Sequence, residues 1–233
     1  MRHHIQSGGR TIELDRYERG SDFTVLYLNG HTATIDGERK IPPIKQYCET
    51  EKLSFVCFDY SGWGRSGDLH QRWDVARWAK ETIDIIDHIG GKIIIIGHSM
   101  GGYIMALAAA ARPDNVIGLY GISAGFGEYI EETGQSDVVL DNENLVMKLN
   151  MEDGDHIITN ALPVICPVFL IHGYLDKFVS PKAALNLLSV LETDDVTIQL
   201  LKEGVHAMDN AMQIDAILQT FGTFTDRISA YAK

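Results

Sequence analysis

A chain of 233 residues, 45% hydrophobic and 22% charged, is long enough for one α/β domain with a sizeable core, and residues 1–233 are read as that single domain. Its 32 acidic against 20 basic residues give a formal net charge of −12, a field that repels polyanions and argues against a nucleic-acid partner. The longest nearly apolar stretch, Val164 to Ile171, contains Pro167 and falls far short of the ~20 residues of a membrane-spanning helix. Met1 to Ser7 lacks the apolar block of a secretory signal, so a cytoplasmic location is expected. Cys48, Cys57 and Cys166 are scattered, without Cys-x-x-Cys spacing, which suits reduced core thiols rather than disulfides or zinc ligands.

In chain order, strand-like runs at Thr11 to Tyr17 and Phe23 to Leu28 are followed by a helical pattern at Pro43 to Glu51. A strand at Ser54 to Phe58 then precedes a helix at Trp73 to Ile89, where Val75, Trp78, Ala79, Thr82, Ile83, Ile86 and Ile89 recur at three- and four-residue steps. Its apolar face should pack on a sheet, with Trp73 and Trp78 as core anchors. Lys92 to Ile96 reads as a strand buried on both faces, Met100 to Ala111 as a helix and Val116 to Gly121 as a strand. Strands at Val168 to Ile171 and Val196 to Leu201, and helices at Pro181 to Leu191 and Met208 to Ala230, complete an alternation typical of a mostly parallel sheet with helices on both faces. Residues 125–162 break that pattern. Gly127 to Ile157 holds nine Asp/Glu residues against a single Lys148, and is expected to form an acidic lid with short helices around Tyr129 and Val138 to Leu149.

The pentapeptide Gly97-His98-Ser99-Met100-Gly101 joins the isoleucine strand to the alanine-rich helix. Flanking glycines permit a strained turn that exposes a serine oxygen, which makes Ser99 a candidate nucleophile. A serine hydroxyl needs a base, and the base needs a partner to hold its tautomer. Asp176 follows a strand, in the position where open α/β sheets carry their sites, and His206 lies between the last strand and the last helix. His98 and His172 are alternative bases at strand ends, and Asp195 and Asp209 are alternative acids. Two N–H donors for a tetrahedral oxyanion are expected from Met100 and from the loop Asn29-Gly30-His31-Thr32, with His31 assigned and Thr32 the nearest competitor. The His31 ring could also line the leaving-group pocket. Phe126, Tyr129, Phe178 and Met208 are candidate walls of an acyl pocket.

These motifs, with Asp59-Tyr60-Ser61-Gly62-Trp63-Gly64-Arg65-Ser66, resemble those of the serine α/β-hydrolases from about Asp22 to Ile228. The stretches Phe58 to Gly62 and Ala111 to Pro113 further resemble the small subfamily that includes a mitochondrial palmitoyl-protein thioesterase, also described as an acyl-glucuronide esterase. The chain departs from that subfamily in showing no obvious transit peptide and in having His31 in the oxyanion loop. The resemblance implies the α/β-hydrolase fold with a mostly parallel eight-stranded sheet, hydrolysis of a small-molecule ester or thioester through an acyl-enzyme, and neither cofactor nor metal. Amide cleavage, carbon–carbon bond hydrolysis and perhydrolysis use the same three side chains and stay open. A catalytically silent binding module of this fold is the alternative of a different class.

Overall fold

The computed structural model describes residues 2–67, 74–125, 137–140, 145–152, 155–158 and 160–231. Strands β1 (Arg2–Ser7) and β2 (Arg10–Tyr17) form a hairpin across Gly8 and Gly9, whose φ of 54° and 79° suit a two-residue turn. The chain then runs through β3 (Phe23–Leu28), α1 (Ile41–Thr50), β4 (Ser54–Phe58), α2 (Val75–Ile89), β5 (Lys92–His98), α3 (Met100–Ala111) and β6 (Val116–Ile122). Three short strands follow, β7 (Asp137–Leu140), β8 (Leu145–Glu152) and β9 (Asp155–Ile158). The last elements are β10 (Val168–Gly173), α4 (Lys182–Val190), β11 (Val196–Leu201) and α5 (Ala211–Tyr231).

Eight strands form one sheet in the order β1-β2-β4-β3-β5-β6-β10-β11, antiparallel at β1-β2 and β2-β4 and parallel elsewhere. Successive side chains of a strand point to opposite faces, and β5 buries both. Ile93 and Ile95 join the core under α2, α3 and α4 with Trp78, Ile86, Tyr103 and Leu187. Ile94 and Ile96 join the core under α1 and α5 with Ile44, Phe221 and Phe224. All four isoleucines are fully buried, each contributing about 1.5–3 kcal/mol. Trp78 is a core anchor whose indole N–H donates to the Ser61 carbonyl (3.1 Å), whereas Trp73 lies outside the described residues. The three cysteines are buried and unbridged, and burial pushes the Cys48 and Cys166 thiols up to about 12.

The structure adds one element and corrects one expectation. The added strand β1 pairs with β2 across Gly8-Gly9, a hairpin signal between two extended runs. The helix expected at Val138 to Leu149 is instead β7 and β8, paired antiparallel with Val138 opposite Met147 and Leu140 opposite Leu145, and β8 pairs in turn with β9. β-branched Val138, Val139 and Val146 favour extended backbone over helix. This small sheet runs beside α2, α3 and α4.

Candidate active site

Parallel pairing brings the carboxyl ends of β3, β5, β6, β10 and β11 to one rim: Leu28 pairs with Gly97, His98 with Ile122, and Gly173 with Leu201. The loops after β3, β5, β10 and β11 therefore meet there, and they carry His31, Ser99, Asp176 and His206.

Ser99 joins β5 to α3 with φ 52° and ψ −124°, a left-handed conformation that costs a non-glycine residue about 1–3 kcal/mol. Its surroundings hold it: the Ser99 N–H donates to Ile122 O (3.0 Å), and its carbonyl accepts from the N–H groups of Gly102 (2.8 Å) and Gly125 (3.0 Å). Gly101 is required by close approach, since a Cβ there would fall 2.5 Å from the Leu28 carbonyl oxygen. Met100 is the first residue of α3, and the first N–H groups of a helix have no intrahelical acceptor.

Asp176 sits in a turn of its own making. Its Oδ1 accepts from the N–H groups of Phe178 and Val179 (2.9 Å each), and its Oδ2 accepts from His206 Nδ1 (2.8 Å). The buried ring of His172 lies behind it, with Nε2 3.3 Å from Asp176 Oδ2 and 3.0 Å from the Val179 carbonyl. Burial of the Asp176 carboxyl favours its neutral form, but the hydrogen bonds from His172 and His206, the charge of His206 and the Val179 N–H outweigh it and hold the pKa well below the usual carboxylate range. A carboxylate only accepts, so in the neutral ring of His206 the hydrogen is on Nδ1 and the lone pair on Nε2. The two loops interlock where Gly173 meets Gly204, since a Cβ on Gly173 would lie 2.4 Å from the Gly204 carbonyl carbon.

Ser99 and His206 line one cleft of about 300 Å³, shared with Gly30, His31, His98 and Phe178. Gly30 comes so close to the serine that a Cβ on it would stand 3.2 Å from the Ser99 Cβ. The loop after β3 is pinned from behind, with Asn29 Nδ2 donating to the Phe58 carbonyl (3.0 Å) and Ile35 N–H to Asp59 Oδ1 (2.7 Å). The His31 ring stands edge-on to Trp63, centroids 5.3 Å apart, and partial burial pushes its imidazole down to about 4.

The alternative acids and bases are accounted for elsewhere. Asp195 pairs with Arg227 (3.0 Å) at the start of β11, and Asp209 lies 3.5 Å from Arg39 at the cleft mouth. His98 is buried, with Nε2 3.2 Å from the His206 carbonyl oxygen. Of the expected pocket walls, Phe178 is 58% exposed with its ring 5.4 Å from that of His206. Beside it a groove of about 810 Å³ is lined by Tyr174, Leu175 and Val205. Met208 is corrected: its φ of 49° turns the chain so that the side chain is fully buried in the core with Ile217 and Phe221, and offers the cleft no surface. Phe126 and Tyr129 lie outside the described residues. Asp59, His172 and the Gly173–Gly204 contact were not foreseen in these supporting roles, because each acts through tertiary contact and carries no local signature.

A family model described as the alpha/beta hydrolase fold matches residues 24–143. The chain belongs to this family. Among curated relatives, the mitochondrial palmitoyl-protein thioesterase ABHD10 of Rattus norvegicus is 28% identical over 91% of this chain and 78% of that protein. The solved structure of mouse alpha/beta hydrolase domain-containing protein 10 superposes with a TM-score of 0.81 at 23% identity, over 98% of this chain and 99% of that one. A putative hydrolase from Agrobacterium vitis S4 superposes with a TM-score of 0.78 at 25% identity, over 96% and 98%. The hydrolase family and the resemblance to the thioesterase subfamily are thus borne out. The cytoplasmic location is not, since relatives of this hydrolase are named mitochondrial. A compartment address is read from a short segment by receptors, and the folded core carries no trace of it.

Proposed function

We propose that this hydrolase cleaves carboxylic esters or thioesters through an acyl-enzyme, with Ser99 as nucleophile, His206 as general base and Asp176 as the group that orients the base. The observation that carries the reading is the 2.8 Å contact from His206 Nδ1 to a buried carboxylate, in a cleft shared with a serine on a strained strand-to-helix turn. His206 Nε2 takes the Ser99 proton as the oxygen attacks the carbonyl, and the N–H groups of Met100 and His31 receive the oxyanion. The imidazolium then protonates the alcohol or thiol as it leaves, and water activated by the same ring releases the acid. Phe178, with the exposed apolar side chains of Tyr174, Leu175 and Val205 beside it, forms the wall for the acyl group. The acidic insertion at residues 125–162 acts as a lid and disfavours highly anionic leaving groups. The thioesterase names of the curated relatives support a thioester as one substrate class.

Labelling by a fluorophosphonate probe, together with turnover of p-nitrophenyl and acyl-thiocholine esters, tests this directly. Both signals are expected to vanish in Ser99→Ala and in His206→Ala. Full turnover by Ser99→Ala refutes the nucleophile, and a native protein that neither labels nor turns over is a binding module.

A further inference from the structure

One wall of the cleft is a buried polar cluster that the chemistry above does not use. Glu38 and Lys40, on the loop between β3 and α1, are 8% and 1% exposed, and His98, directly before Ser99, is 7% exposed. Glu38 Oε1 lies 2.7 Å from Lys40 Nζ, and Glu38 Oε2 lies 3.3 Å from His98 Nδ1. Each of those partners reaches the loop that carries the base. Lys40 Nζ donates to the Ala207 carbonyl (2.7 Å), and His98 Nε2 lies 3.2 Å from the His206 carbonyl. A carbonyl only accepts, so His98 carries a hydrogen on Nε2. Lys40, held by Glu38, and His98, whose Nδ1 has no hydrogen-bond partner among the described residues, thus grip consecutive carbonyls just before the left-handed turn at Met208.

We propose that Glu38, Lys40 and His98 form a positioning clamp that fixes the backbone of residues 206 and 207, so that the His206 ring stays aimed at Ser99. The clamp presupposes His206 as the base. A buried ion pair is expensive to desolvate and a well-packed apolar pair serves stability as well or better, so the cluster is better explained by what it holds than by stability. Burial favours the neutral acid of Glu38, yet its pairing with Lys40 2.7 Å away keeps the carboxyl charged and its pKa below the ordinary value. None of the three donates to or accepts from the reacting atoms; they act through the position of the ring.

The test compares Glu38→Met/Lys40→Met, which removes both buried charges together, with His98→Leu and His98→Gln, using p-nitrophenyl butyrate turnover and thermal unfolding. The double variant and His98→Leu are expected to keep Tm and KM while kcat falls about 10- to 100-fold, the penalty of a misplaced reacting group. His98→Gln, whose amide can still donate to the His206 carbonyl, is expected to recover part of that loss. The clamp is overturned if the double variant and His98→Leu both keep kcat within about twofold, or if Tm collapses in step with kcat in both. Ser99→Ala and His206→Ala run alongside: if either keeps turnover, the base assignment itself fails, whereas inactive parallels with fully active clamp variants remove the clamp alone.

Discussion

Replacing Asp176 by asparagine changes almost nothing in shape and reverses one hydrogen bond. The asparagine carbonyl oxygen can stay with the N–H groups of Phe178 and Val179, which the aspartate holds at 2.9 Å each, and this turns the amide NH2 toward His206 Nδ1, now 2.8 Å from Oδ2. An NH2 only donates, so the ring must offer its Nδ1 lone pair and carry its hydrogen on Nε2, the atom that should take the serine proton. The wrong tautomer costs about 10⁴-fold in kcat, equivalent to about 5 kcal/mol of barrier. KM should hardly move, because the Asp176 side chain is fully buried and presents no surface to a substrate. Steady-state turnover of a p-nitrophenyl ester at pH 8 measures both quantities. Asp195→Asn is the control, since that carboxylate pairs with Arg227 near the protein surface and its loss should leave kcat unchanged. A kcat for Asp176→Asn within tenfold of the parent would refute the assignment.

The same side chain sets an acid limit on stability. Its folded pKa is depressed, so its contribution is complete above the unfolded value near 4 and is lost as pH falls through the lower folded value. The urea midpoint should fall between about pH 4 and pH 2, and Asp176→Asn should flatten that slope; an unchanged slope counts against the proposed linkage. Glu81 behaves oppositely: burial raises its pKa despite the hydrogen bonds with Ser61. Its penalty grows as pH rises, so Glu81→Gln should leave stability at pH 8 unchanged or improved, and a loss beyond about 1 kcal/mol would contradict this. Phe221→Ala, in the fully buried core under α5, should cost about 3–5 kcal/mol in chemical denaturation without altering KM. Neutral short-chain esters should be preferred over coenzyme A thioesters, and turnover of the latter should rise with salt as the repulsion of a −12 chain is screened. Slower coenzyme A ester turnover on adding salt would reverse that reading.

What could be read along the chain was whatever lies within one or two elements. The isoleucine run of β5, the Gly97 to Gly101 turn and the alternation of strands with helices are local patterns, and each reappears in the fold. The periodicity of α2 likewise placed Trp78 in the core. Where two local preferences competed, the reading failed. Val138 to Leu149 satisfies a loose helical spacing, but its β-branched residues pair more readily as strands. Apolar side chains near His206 suit either a pocket wall or the core, and only the left-handed turn decides that Met208 points into the core.

The amino-acid order by itself determined the hydrolase architecture and which strand ends would bear a serine, a carboxylate and an imidazole, because strand pattern and turn chemistry are set by neighbours in the chain. Only the tertiary structure decided that Asp176 meets His206 at 2.8 Å, that His172 stands behind that carboxylate, and that Glu38, Lys40 and His98 converge on the loop of residues 206 and 207. Those contacts join residues up to 167 positions apart. Parallel strand register, which no local stretch encodes, brings them to the same rim.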